Sequence, residues 1–212
     1  MKLFAFLLLL LFPLRASAAE PSPGMALQHR ETSPRGDIVV EHYFNKKNYE
    51  REVWLAPVNE ASKRVLLYKH GRSVSILFSP DEQWLVINDF PTSTDGAPFL
   101  FKRGRGLNYR PIENVNIAEK VWQFVGKYYP IVLTQDFGHQ YVEALRWSYD
   151  SKAFLVAAFG HTDSPEISES LAPWLSVFII DGFRVTLDLN LMNRGALHSR
   201  ERGEAAPSGP WK

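Results

Sequence analysis

The apolar residues of this chain fall mainly into short runs that are separated by glycine, proline, asparagine, aspartate and serine. The runs are rich in β-branched and aromatic residues and have the length of strands, so the pattern predicts a mainly β domain. The predicted strands are Ile38–Phe44, Glu52–Ala56, Arg64–Tyr68, Val74–Phe78, Trp84–Asp89, Pro98–Lys102, Ile131–Thr134, Val142–Trp147, Phe154–Phe159, Trp174–Ile180 and Arg184–Leu189. Asp181-Gly182 and Asp95-Gly96 are expected to supply the positive φ angles of turns.

Between residues 116 and 129 the spacing of apolar residues becomes helical. We predict one inserted helix, with Asn116 as its N-cap, Glu119 completing a capping box and Pro130 ending it. The apolar face contains Ile117, Val121, Phe124, Val125 and Tyr128. The aromatic stripe of this segment suits either a ligand platform or packing against a sheet, and packing is the commoner role. The stripe consists of Trp122, Phe124, Tyr128 and Tyr129.

Residues 74–89, VSILFSPDEQWLVIND, predict an antiparallel hairpin. Two apolar runs flank a turn in which Pro80 sets the φ angle of the second position and Asp81 suits the third. A weaker copy begins 69 residues later, with Ser148 in the place of Ser79 and Asp150 in the place of Asp81. We therefore expect two equivalent hairpins, with the helix inserted outside both.

These hairpins resemble the WD40-like repeats of the TolB and prolyl oligopeptidase propellers, in which Ser-Pro-Asp-Gly-Lys follows an aromatic residue. Glu82 stands where that motif has glycine, and Gln83 stands where lysine is common. The resemblance covers about residues 38–191 and implies propeller-like antiparallel β-meander units, two clear ones and a partial one over Ile38–Tyr68. Propellers usually close with at least four blades, so we expect a compact β-rich domain rather than a closed propeller. Because such repeats are scaffolds, the resemblance implies binding rather than chemistry.

The first residues are typical of a cleaved secretory signal. A basic start is followed by the apolar run Leu3–Phe12, which is too short to span a bilayer, and then by Ala16 and Ala18 at the positions that signal peptidase recognises. We expect residues 1–18 to be removed and the protein to be extracytoplasmic, either periplasmic or secreted. Residues 19–36 are expected to form a flexible leader, residues 37–192 a single β-rich domain, and residues 193–212 a disordered tail.

The net charge and the absence of cysteine limit the kinds of partner and site that the protein can have. The 212 residues include 24 Lys and Arg against 23 Asp and Glu, and loss of Lys2 and Arg15 with the signal leaves a net charge of −1. This balance argues against capture of nucleic acid and against binding to an anionic membrane after signal cleavage. A protein or envelope component is the expected partner, and open sheet edges would allow homo-oligomers. The absence of cysteine excludes disulfides and thiolate metal sites.

The sequence contains no nucleophile-elbow, phosphate-loop or zinc-helix motif. It therefore predicts no catalytic residue, no cofactor and no metal ligand from a known motif. The strongest candidates for a polar site are four loop residues around the second hairpin. A carboxylate with an imidazole binds a divalent metal or performs acid–base chemistry if the loops converge. The set consists of Asp136, His139, His161 and Asp163.

Two classes of function therefore remain. The favoured class is an exported, non-catalytic binding or interaction protein built on propeller-like repeats. The alternative is a small extracytoplasmic hydrolase or metal-dependent enzyme that uses the Asp and His loops. Convergence of the polar set within about 4–5 Å of a common point, in a concave pocket, favours the enzyme, and dispersal favours binding.

Overall fold

The computed structural model describes residues 19–135, 137–163, 170–181 and 184–188. Within these ranges the chain forms twelve strands, one α-helix and two short 3₁₀ helices. The strands are β1 Ala26–Thr32, β2 Ile38–Phe44, β3 Arg51–Pro57, β4 Val65–His70, β5 Ser73–Phe78, β6 Trp84–Phe90, β7 Asp95–Arg103, β8 Tyr109–Pro111, β9 His139–Trp147, β10 Ala153–His161, β11 Ser170–Asp181 and β12 Arg184–Asp188. The helix α1 is Ile117–Val125, and the 3₁₀ helices are Ala61–Lys63 and Pro130–Leu133.

The strands are arranged as three antiparallel meanders of four strands each, which we call the first blade (β1–β4), the second blade (β5–β8) and the third blade (β9–β12). The second and third blades are joined by a short parallel pairing of β7 with β9, in which Asp95 lies opposite Gln140. The described part of the chain is therefore a mainly β, propeller-like fold, as the sequence predicted. Ile38–Tyr68, predicted as part of an earlier blade, supplies the central strands of the first blade.

The same turn joins the first two strands of every blade. A serine hydroxyl accepts a hydrogen bond from the backbone N–H that opens the second strand, at 3.1, 3.0 and 2.9 Å in the three blades. The residue three positions after each serine has a positive φ, of 77°, 57° and 61°. The two predicted hairpins are thus equivalent, as expected, and the first blade contains a third copy. The serines are Ser33, Ser79 and Ser148, and the residues with positive φ are Gly36, Glu82 and Ser151.

Strand β6 is buried on both faces because it lies between the other two blades. Leu85 and Ile87 point towards the first blade, whereas Trp84 and Val86 point towards the third. This alternation follows from the two-residue period of a strand. Trp84 is 7% exposed and Trp147 is 8% exposed, so both belong to the core as predicted.

Helix α1 packs beside the second and third blades and lies outside both hairpins, as expected. The Asn116 side chain caps it by accepting a hydrogen bond from the Glu119 N–H at 3.0 Å. The helix ends at Val125 rather than at Pro130, so it is shorter than predicted; Gly126, a weak helix former, follows its last residue. Two residues of the aromatic stripe pack in the core: Trp122 and Phe124 are 7% exposed, and Phe124 contacts Trp174 edge to face. Tyr128 is 46% exposed and stacks on Trp174, and Tyr129 is partly buried against the core. No helix in the described ranges has the length and apolar character needed to cross a membrane.

Strand β1 forms where the sequence predicted a flexible leader. None of its seven residues is buried, so the apolar content gave no signal. Its backbone pairs with β2, and the cross-strand ion pair of Arg30 with the buried Glu41, at 2.7 Å, adds to this pairing. A strand can therefore be held by its neighbour's hydrogen bonds without an apolar face of its own.

Two further predictions of local structure are wrong. Ile131–Thr134, predicted as a strand, overlaps the 3₁₀ helix Pro130–Leu133, whose first position suits proline because no N–H is needed there. Asp95-Gly96, predicted as a turn, begins β7. Gly96 is required there for space, because a Cβ atom would lie 2.6 Å from the Phe90 ring. Gly182 and the tail from residue 193 lie outside the described residues.

Candidate functional site

The candidate site lies where β9 begins and β10 ends. His139 and His161 are directly opposite each other in the register of these antiparallel strands. Side chains at such positions are close neighbours on one face of a sheet. Their rings are stacked, with centroids 4.0 Å apart and planes inclined by 23°.

Asp163 reaches the same place from the segment that follows β10. Its Oδ1 atom lies 2.6 Å from Nε2 of His139. One ligand atom from each of His139, His161 and Asp163 lies within 4.8 Å of the others. The structure thus brings together three of the four residues of the predicted polar set, and Asp136 lies outside the described residues.

Hydrogen bonds fix the orientation of both rings. His161 Nδ1 lies 3.1 Å from the Thr162 carbonyl oxygen, which can only accept, so Nδ1 carries the hydrogen. His139 Nδ1 lies 3.0 Å from the Tyr141 hydroxyl. Tyr141 donates its own hydrogen to the Ser93 carbonyl, and therefore it accepts from His139 Nδ1. The Nε2 atoms of both histidines are left to face the site.

Two glycines make room for this arrangement. A Cβ atom on Gly138 would collide with the Asp163 carboxylate, and a Cβ atom on Gly160 would collide with the His139 carbonyl. Sequence reasoning missed both glycines and Tyr141. The available signal was their spacing, since Gly138 directly precedes His139 and Gly160 directly precedes His161.

An open cavity of about 620 Å³ adjoins the site. Tyr141 and Phe159 stack in it, with centroids 5.2 Å apart. Phe90 and Phe159 occupy equivalent positions in the repeated hairpins, and both line the cavity. The full lining consists of Phe90, Tyr141, Glu143, Phe159, Gly160, His161 and Leu171.

The first blade holds buried carboxylates that are occupied by ion pairs. Glu41 contacts the guanidinium of Arg30 at 2.7 Å and that of Arg64 at 3.6 Å. Burial raises the pKa of Glu52, but four hydrogen bonds outweigh it and hold that pKa at about 2. The donors are the hydroxyl and the backbone N–H of Ser22, the Lys69 ammonium and the Trp54 indole N–H. These groups stabilise the first blade and are not available for a ligand.

Histidines of the first blade form a separate group. His42 Nε2 lies 3.3 Å from Glu31, and its ring lies 5.8 Å from that of His29. Burial, with the nearby charges of Arg51 and His42, lowers the pKa of His70 to about 4. His70 is therefore neutral near pH 7, and the group offers no cluster like that of the third blade.

Comparisons with known proteins identify similar folds. No protein-family model and no curated protein sequence matches the chain. TolB from Acinetobacter baumannii is similar over 82% of this chain and 34% of its own, with a TM-score of 0.42 and 13% identity. A prolyl endopeptidase is similar over 77% and 22%, with a TM-score of 0.46 and 11% identity. The β-propeller domain of the trilobed protease from Pyrococcus furiosus is similar over 76% and 42%, with a TM-score of 0.42 and 11% identity. This chain spans less than half the length of each of these structures.

Proposed function

We propose that the protein is an exported binding protein without a catalytic role, built on its three propeller-like blades and acting in the periplasm or outside the cell. The observation that carries the proposal is the open cavity beside β9 and β10. Its volume of about 620 Å³ falls in the range of ligand sites, about 300–1,000 Å³. Stacking between Tyr141 and Phe159 holds these two rings in place, which supports a site that is formed before a ligand arrives.

The lining of the cavity indicates the chemistry of the ligand. Phe90, Phe159 and Tyr141 offer aromatic faces, and Glu143 supplies a carboxylate. An apolar or aromatic group of a protein or envelope component would bury its surface against these rings. A neighbouring cationic group would complement Glu143.

Export is the part of the proposal that rests on residues 1–18. Their basic start, short apolar run and Ala-x-Ala site favour cleavage after Ala18. Intact-mass analysis of the exported protein should therefore give a chain that begins at Ala19. A mass that includes residues 1–18, or recovery only from the cytoplasm, would contradict this part of the proposal.

Photo-crosslinking in the native host tests the binding site. The photoreactive residue p-benzoylphenylalanine replaces Phe159 in the cavity or, as a matched control, Leu66 on β4 of the first blade, which is 41% exposed. We expect a discrete adduct from position 159, weakened by Glu143→Lys, and no such adduct from position 66. Equal labelling at both positions, or none at position 159, would show that the cavity is not the binding site.

The convergence of the polar set favours a second candidate, a metal-dependent hydrolase. His139, His161 and Asp163 lie close together, and Glu143 of the adjoining cavity is a candidate general base. This candidate predicts hydrolysis of chromogenic ester or peptide substrates after Zn²⁺ is added. The hydrolysis should be lost in Glu143→Gln, and absence of turnover in the metal-loaded protein would remove the candidate.

A further inference from the structure

We propose that His139, His161 and Asp163 bind one divalent transition-metal ion, for which Zn²⁺ is the best match. Two imidazole nitrogens and one carboxylate oxygen form the three-ligand set of zinc sites that retain an open position. Mg²⁺ and Ca²⁺ prefer all-oxygen surroundings and fit this set poorly. The inference does not depend on the proposed binding function.

The three side chains lie nearly close enough together to share one ion. Ligand atoms around a tetrahedral zinc ion lie about 3.3 Å apart, given Zn–N and Zn–O distances of about 2.0–2.1 Å. The three ligand atoms already lie within 4.8 Å of one another. Asp163 is 58% exposed and lies outside the strands, so small side-chain rotations can close the remaining gap.

Each histidine ring is also held by a hydrogen bond at its Nδ1 atom. Histidine ligands usually donate their second ring N–H to a carbonyl, carboxylate or water, which fixes the tautomer and orients the lone pair. His161 does so through the Thr162 carbonyl, and this leaves Nε2 as the atom with a lone pair. His139 does so through Tyr141, which is itself held by Ser93.

His139 and Asp163 already contact each other. With Nδ1 donating to Tyr141, a hydrogen between Nε2 and Oδ1, which lie 2.6 Å apart, requires the doubly protonated ring. A metal ion takes the place of that hydrogen: the N–H bond breaks, the proton passes to solvent, and Nε2 and Oδ1 each form a bond to the metal. No oxidant or second reactant is needed.

The same contacts would also suit a metal-free role, in which the ion pair and the ring stack hold the ends of β9 and β10 together. The two roles differ in what happens when Zn²⁺ is added. The fourth coordination position would face solvent and the adjoining cavity, because His161 lines that cavity. A bound metal therefore remains open to water or to a donor atom of a ligand.

Metal titration of the untagged exported protein tests the inference. After treatment with EDTA, calorimetry with Zn²⁺ should show one equivalent bound, and Co²⁺ should give the visible bands of a four- or five-coordinate site. His161→Ala and Asp163→Ala should each weaken Zn²⁺ binding by at least about tenfold. Tyr141→Phe should weaken it by about tenfold, as loss of a supporting hydrogen bond does.

Two variants make the result specific. His29→Ala removes an exposed histidine of the first blade, so it should leave Zn²⁺ binding unchanged. Gly138→Ala keeps all three ligands but puts a methyl group against the Asp163 carboxylate, so it should weaken binding. Circular dichroism establishes that each variant is folded. Failure of the folded wild-type protein to bind Zn²⁺, or unchanged binding in both His161→Ala and Asp163→Ala, would overturn the inference.

Discussion

Replacing the turn serines by alanine tests whether the repeated turn stabilises the fold. In Ser79→Ala the buried N–H of Trp84 loses the hydroxyl oxygen that accepts its hydrogen bond at 3.0 Å. An unsatisfied buried group costs about 1–3 kcal/mol. The hydroxyl also donates to Asp81 at 2.6 Å, a bond worth about 1 kcal/mol. We therefore expect Ser79→Ala to lower the free energy of unfolding by about 2–4 kcal/mol.

The equivalent change in the third blade should act in the same direction but less strongly. Ser148 accepts from the Ala153 N–H at 2.9 Å and donates to Asp150 at 2.7 Å, as Ser79 does with its partners. Ala153 is partly exposed, so water can replace part of the lost bond. A loss of about 1–2 kcal/mol is expected for Ser148→Ala.

Urea denaturation followed by tryptophan fluorescence measures both changes. With an m-value of about 2 kcal/mol/M, Ser79→Ala should lower the midpoint by about 1–2 M without changing the slope. Ser73→Ala, which removes an exposed serine of β5, is the matched control and should change the stability by less than about 0.5 kcal/mol. If both turn variants fall within that control range, the shared turn is not a stabilising unit and the reasoning fails.

Three further predictions follow from single buried side chains. Trp147→Ala should lower the free energy of unfolding by about 3–5 kcal/mol, because the indole is 8% exposed and donates to the Leu77 carbonyl of the second blade at 2.9 Å. A decrease of less than about 1 kcal/mol in urea denaturation would show that Trp147 is not part of the core. Glu52→Gln should remove a dependence of stability on pH. The pKa of Glu52 is about 2 in the folded protein, below its unfolded value, so the wild type loses up to about 3 kcal/mol of stability as the pH falls from about 5 to 2. Urea denaturation of the variant should show a flatter stability profile over that pH range. Asn88→Asp should destabilise the contact between the second and third blades, because a carboxylate oxygen would face the Ala144 carbonyl to which the Asn88 amide now donates at 2.9 Å. An unchanged urea midpoint of the variant at pH 7 would contradict this prediction.

The sequence predicted those parts of the fold that depend on local patterns. The hairpins around Ser79 and Ser148 and the N-cap at Asn116 could be predicted because turn chemistry and hydrophobic periodicity are written in adjacent residues. Strand β1 could not, because its pairing with β2 depends on backbone hydrogen bonds rather than on apolar side chains. Ser33-Pro34 was the missed signal, since it begins the same turn as Ser79-Pro80.

The candidate site was predictable as residue types but not as an arrangement. His139 and His161 meet because the register of β9 with β10 places them opposite each other, and register depends on the whole hairpin. Asp163 reaches them because Gly138 has no side chain. The spacing of residues along the chain shows neither the register nor the space beside Gly138. The sequence could therefore say only what the polar residues would do if they came together.

The departure of Glu82 from the glycine of the propeller motif has a physical reason in the contacts between blades. Positive φ costs a residue with a side chain about 1–2 kcal/mol, which glycine avoids. Glu82 uses its side chain to accept a hydrogen bond from the Arg35 N–H of the first blade at 2.9 Å. Ser151, at the same position of the third blade, accepts from the Asp81 N–H of the second blade at 3.1 Å. Each side chain thus offsets its backbone strain by linking its own turn to the turn of the preceding blade. Gly36 has the corresponding position in the first blade, and glycine adopts its φ of 77° without that strain.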